Sequence, residues 1–149
     1  MNKNIKTFFI IRHADKESGV GYNPPLSARG RARANNWINV FMHQPVDIIF
    51  VTPLLRVRQT FEPLAQIKNI PITEYDTYEM ENLIDSIFYN PAYNNIIIGG
   101  HQDTVPIIAN LLLGENKFSH IANDDYDNLI TVMTDKENFR KYIHLNIPI

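Results

Sequence analysis

Four side chains in this sequence could together bind and transfer a phosphoryl group: Arg12, His13, Arg56 and His101. Arg12-His13 directly follows the apolar run Thr7 to Ile11, and Thr52, with Arg56 four residues on, follows Asp47 to Val51. His101 follows Ile96-Ile97-Ile98-Gly99-Gly100. Arginine presents planar, permanently charged donors that match phosphate oxygens two at a time. A neutral imidazole can be both nucleophile and hydrogen-bond donor. Lys16, just beyond His13, could add charge against a phosphate, although a solvated loop is the plainer reading for it and for Asp15. Two His-x-Asp pairs, His13-Ala14-Asp15 and His101-Gln102-Asp103, have a spacing that metals can also use, so a metallohydrolase stays open at this point.

These clusters can meet only if the right elements carry them. Thr7 to Ile11, Asp47 to Val51 and Asn95 to Ile98 read as strands buried on both faces, and Pro71 to Tyr75 as a shorter one. Between them lie helices. Ser27 is an N-cap for one running to about His43, with Ala34, Trp37, Ile38 and Phe41 on one face. Pro53 opens a second, kinked at Pro63; Tyr78 to Tyr89 is a third, and Thr104 to Leu113, stopped by Gly114, a fourth. Leu129 to Met133 and Arg140 to Leu145 are two strands around a turn. The order β-α-β-α-β-α-β-α-β-β predicts an α/β fold, a three-layer αβα sandwich. Its central sheet is mainly parallel, with an antiparallel C-terminal edge. Ligands of such sheets sit at the carboxyl ends of the strands, where the polar clusters fall. Residues 1–149 are expected to form a single domain of this kind.

Several segments then resemble one family. Phe9-Ile10-Ile11-Arg12-His13-Ala14 is similar to the Arg-His-Gly/Ala signature of the histidine phosphatase superfamily, also called phosphoglycerate mutase-like. Leu26-Ser27-Ala28-Arg29-Gly30-Arg31-Ala32 resembles its helix entry. Thr52-Pro53-Leu54-Leu55-Arg56-Val57-Arg58-Gln59-Thr60 resembles its Ser-Pro-Leu-x-Arg segment, with Thr52 for serine and Val57 for alanine. Ile98-Gly99-Gly100-His101 resembles the second-histidine motif. The resemblance implies that His13 carries the phosphoryl group and that Arg12, Arg56 and His101 hold its oxygens, with no metal or other cofactor. In size the chain is similar to the small phosphohistidine-phosphatase-like members, without the long insertions of the mutases. That implies a phosphatase acting through a phosphohistidine intermediate, on a small phosphate monoester or a phosphohistidine protein. Mutase-type phosphoryl transfer and a non-catalytic phosphate-binding module are the alternatives.

The proton donor for the leaving group is the least defined part. General acid catalysis contributes about a hundred- to ten-thousand-fold. Glu81 and Asp103 are the two candidates, with Glu79 and Asp76 behind them, although Asp103 also suits a helix cap and Glu79 and Glu81 suit a helix N-terminus. Arg29, Arg31 and Arg33 read as a wet basic face of the first helix, and Arg58 and Gln59 as a solvated face of the second. His43, His120 and His144 have no partner pattern.

Composition narrows the field further. A net charge of -2 supplies no global basic field, so no nucleic-acid partner is expected. No cysteine is present, which removes thiolate nucleophiles, disulfides and cysteine zinc sites. The apolar run near the N-terminus is too short for a signal-peptide core, and none reaches the ~20 residues of a membrane helix. A cytoplasmic protein with no membrane partner is therefore expected; the sequence implies no oligomeric state.

Overall fold

A computed structural model describes residues 4–149; residues 1–3, part of the N-terminal reading above, lie outside it. Strands and helices alternate as β1 (Lys6–Arg12), α1 (Ala28–Phe41), β2 (Ile48–Val51), α2 (Leu55–Lys68), β3 (Ile72–Glu74), α3 (Met80–Tyr89), β4 (Asn95–Gly100) and α4 (Thr104–Leu113). The hairpin β5 (Asn128–Thr134) and β6 (Arg140–Asn146) follows. The six strands form one sheet in the order β3-β2-β4-β1-β5-β6. β1, β2, β3 and β4 are parallel. β5 runs antiparallel to both β1 and β6. The expected α/β sandwich with an antiparallel C-terminal edge is the fold observed.

Period-two alternation in the strands creates the two cores. Phe8, Ile10, Ile96 and Ile98 face one side with Val105, Ile108 and Leu112 of α4 and Ile84 and Ile87 of α3. Phe9, Ile11, Ile49 and Ile97 face the other with Trp37 and Phe41 of α1 and Val57, Phe61 and Leu64 of α2. Helices thus cover both faces. The N-cap at Ser27 holds: its side chain accepts from Gly30 N–H. α2 begins two residues later than Pro53 implied, with Leu54 as its extended entry residue. A 3₁₀ turn at Thr77–Glu79 occupies the start of the expected third helix. Gly114 ends α4 in the left-handed region, φ 71°.

Two close approaches bring the strand ends and helices together. A Cβ on Gly30 would lie 1.9 Å from the Asp15 carbonyl oxygen, so α1 can pack against the chain leaving β1 only with glycine there. A Cβ on Gly99 would lie 2.4 Å from Phe61 Cε2, so β4 packs against α2 through a bare backbone. Among the described residues no helix is long and apolar enough to cross a membrane.

Candidate active site

The carboxyl ends of β1, β2 and β4 open into one cavity of about 1000 Å³. Arg12, His13, Lys16, Thr52, Arg56, His101 and Asp103 all line it. The two imidazoles, 88 positions apart in sequence (101 − 13), have ring centroids 5.4 Å apart.

His13 is held by backbone on both sides. Its N–H donates to Gly100 O on the neighbouring β4 (2.8 Å). Its ring Nδ1 lies 2.8 Å from the carbonyl of Ala14. A carbonyl only accepts, so Nδ1 carries the proton and Nε2 keeps its lone pair. Arg56 Nε donates to that Nε2 at 3.3 Å. Burial pushes the His13 imidazole down to about 3, and the charges of Arg12 and Arg56 act in the same direction. Burial is the largest cause, ahead of the neighbouring charges. His101 is also lowered, by burial first and then by Arg56, while Asp103 opposes the shift. Thr52 Oγ1 and His101 Nε2 share a hydrogen bond of 3.1 Å, and His101 N–H donates to Thr104 Oγ1 (2.9 Å).

The arginines differ in their surroundings. Arg12 Nη1 donates to the carbonyls of Asp125 (2.7 Å) and Ala122 (3.1 Å). Its Nη2 donates to the Asn123 carbonyl and to Gln102 Oε1, both at 3.0 Å. Tyr126 lies against the guanidinium, 4.0 Å from Cζ to the ring centroid. The buried Nε of Arg12, unlike its Nη groups, has no hydrogen-bond partner among the described residues, and the same holds for Nη1 of Arg56. Buried donors of this kind are costly unless something accepts from them. Arg56 is tied to His13 through Thr60, whose Oγ1 donates to Arg56 O (2.7 Å) and accepts from Ala14 N–H (2.8 Å).

The candidate acids separate. Asp103 lines the cavity, and its Oδ1 also accepts from Thr104 N–H at the start of α4 (2.9 Å). Glu81 does not line it: it lies exposed in the first turn of α3, past the 3₁₀ turn whose Thr77 and Tyr78 still reach the cavity. Glu79 accepts from Asn82 at the surface. Asp76, the remaining named candidate, does line the cavity, together with Glu74 at the end of β3, which the sequence reading did not name.

Other expectations need correction. Arg33 is not on a wet face. It is 3% exposed, with Nε 2.7 Å from Asp15 Oδ1 and Nη1 2.7 Å from Asp127 Oδ1. Asp15 therefore belongs to Arg33 rather than to the cavity rim. Gln59 is not simply solvated, because its Oε1 accepts from Leu26 N–H (2.9 Å). Arg58 is a surface residue, 3.6 Å from Glu74. Sequence reasoning missed Gln102, Asn123 and Tyr126 around Arg12, and His120 in the cavity lining. The carbonyl cradle has no sequence signature, but Gln102 stands beside His101 at the strand end and could have been flagged. Among the described residues no group of three or more His, Asp or Glu side chains is arranged to hold a metal ion.

The sequence model described as histidine phosphatase superfamily (branch 1) matches residues 8–79, which include Arg12, His13 and Arg56. No curated protein matches the sequence. Among solved structures, the α-ribazole phosphatase from Shigella flexneri is similar at 15% identity and a TM-score of 0.75, covering 96% of this chain and 98% of that one. The protein histidine phosphatase SixA, complexed with tungstate, gives 17% and 0.74 over 94% and 96%. A mycobacterial glucosyl-3-phosphoglycerate phosphatase gives 11% and 0.75 over 97% and 100%. Such identities speak for the fold, and the sequence match covers the segment that carries the first histidine and both arginines. Residues 8–79 of the chain thus match the histidine phosphatase superfamily, and the chain as a whole shares the fold of these solved phosphatases.

Proposed function

We propose that this protein is a phosphatase that passes a phosphoryl group from its substrate to His13 and then to water. The observation that carries this reading is the state of His13: a buried, neutral ring whose Nε2 lone pair lies in a cavity beside arginine donors. An incoming phosphoryl group supplies the acceptors that Arg12 Nε and Arg56 Nη1 lack. One unit-charge pair about 4 Å apart is worth roughly 4 kcal/mol at an effective dielectric near 20. Donors fixed in advance stabilise the transition state most.

In the first step Arg56 Nε gives up its hydrogen bond to Nε2 of His13 and donates to a phosphoryl oxygen instead, and the freed Nε2 forms a bond to phosphorus as the bond to the leaving oxygen breaks. That oxygen takes a proton, for which Asp103 is the carboxyl group best placed among the two sequence candidates. In the second step a water oxygen bonds to phosphorus, the P–N bond breaks, and the water proton returns to the carboxylate. Inorganic phosphate leaves and His13 is neutral again. With a phosphohistidine substrate the leaving atom is an imidazole nitrogen, which needs less help from an acid. Thr52 and His101, joined by their hydrogen bond, line the same pocket, and Lys16 adds an exposed cation to its lining. The open cavity suits either a small phosphate monoester or a phosphohistidine on a protein surface, and no bound metal or cofactor takes part.

Activity in chelator-treated buffer tests this, measured over a set of phosphate esters and a phosphohistidine peptide, with His13→Ala as control. The expected result is turnover by the wild type alone. Equal turnover by the variant, or turnover that vanishes with chelation, would remove the reading. Phosphate binding without turnover would mark a binding module instead.

A further inference from the structure

Arg12 is the most restrained side chain in the cavity, and its restraint comes from outside the sheet. Both its Nη groups are held by the carbonyls of 122, 123 and 125, in an irregular segment with no strand ladder of its own. The segment must therefore be fixed by other means. At its far end, Asp127 accepts from Arg33 Nη1 (2.7 Å), and the same guanidinium donates through Nε to Asp15 (2.7 Å), two residues after His13. Arg33 also stands 5.8 Å from the Tyr126 ring, which packs on Arg12 from the other side.

We propose that Arg33 is a positioning residue for the phosphoryl pocket: one buried guanidinium joins the chain leaving His13 to the segment that cradles Arg12. It touches no substrate. It fixes where Arg12 Nε stands relative to His13 Nε2, so that the two groups meet one phosphoryl unit. Lysine cannot take this part, because a single ammonium lacks the rigid fork that reaches two carboxylates at once. The proposal rests on the phosphatase reading for its meaning in catalysis, but it is testable on oxyanion binding alone.

The test uses Asp127→Ala and Arg33→Lys, with tungstate as the oxyanion probe, calorimetric Kd, kcat/KM on a working ester, and thermal unfolding. Both variants should unfold cooperatively, bind tungstate more weakly, and lose about 10- to 100-fold in kcat/KM, the scale of a small misplacement. The decisive readout is coupling: in an Arg12→Ala background, Asp127→Ala should no longer change the tungstate Kd, because its effect runs through Arg12. A role in stability alone would leave that effect intact. Wild-type tungstate affinity in both variants, or full additivity with Arg12→Ala, would overturn the proposal, as would a wild type that binds no tungstate. If Asp127→Ala does not unfold cooperatively, Asp127→Asn carries the same test. A wild type that binds tungstate but hydrolyses nothing would defeat the phosphatase reading and leave this one standing.

Discussion

His13 sits at the centre of two different free-energy effects. Its imidazole is held near 3, well under the ~6.5 of an exposed histidine. Between those two pH values the unfolded chain binds a proton that the folded chain does not. Stability should therefore be complete above about pH 6.5 and fall as the pH drops toward 3. Urea unfolding at pH 7 and pH 4.5 should show a smaller loss for His13→Gln than for the wild type; an identical loss in both would refute the burial account. Arg56→Ala should lower kcat/KM about 100-fold, with KM raised and kcat reduced together, since the contact serves both bound substrate and transition state. A change in KM alone would mean that Arg56 only gathers substrate. These residues were legible because each polar group follows an apolar run that had to be a strand. Arg33 was misread although it lies four and eight residues before Trp37 and Phe41, on the buried stripe of α1. Charge outweighed periodicity in the reading, and the two carboxylates that neutralise it are distant in sequence.

Elements follow their local rules closely, and the exceptions occur where tertiary packing takes over. Ser27 and Gly114 set helix ends as capping chemistry requires. The 3₁₀ turn before α3 and the late start of α2 had no comparable signal. Gly30 gives the clearest test at this scale. Alanine would ordinarily favour a helix by about 1 kcal/mol. Here its Cβ would meet the Asp15 carbonyl oxygen at 1.9 Å, so Gly30→Ala should destabilise by about 1–3 kcal/mol. Because that backbone leads directly from His13, activity should fall as well. Denaturant midpoints and kcat/KM check both; a stabilised, fully active variant would show that α1 and the β1 exit do not constrain one another. The cradle around Arg12 was illegible for a related reason: it is built from carbonyls of an irregular segment, which no side-chain pattern announces.

At the scale of the molecule, three polar clusters meet only because β1 lies beside β4 and β4 beside β2. The alternation of strand and helix made the parallel sheet legible, but not the order of its strands, which depends on crossovers that sequence leaves open. The two cores share every central strand, so the chain should unfold in one transition. Far-UV dichroism and the fluorescence of Trp37, the only tryptophan and a fully buried one, should give coincident curves; separated curves would mean independent units. The central claim concerns which atom receives phosphorus. The most direct measurement is to mix the protein with excess substrate, stop the reaction in alkaline denaturant, where a phosphoryl–nitrogen bond survives, and locate the added phosphate by peptide mass analysis. The account expects a single phosphoryl group on His13; phosphate found on His101 instead, or none on any histidine during active turnover, would contradict it.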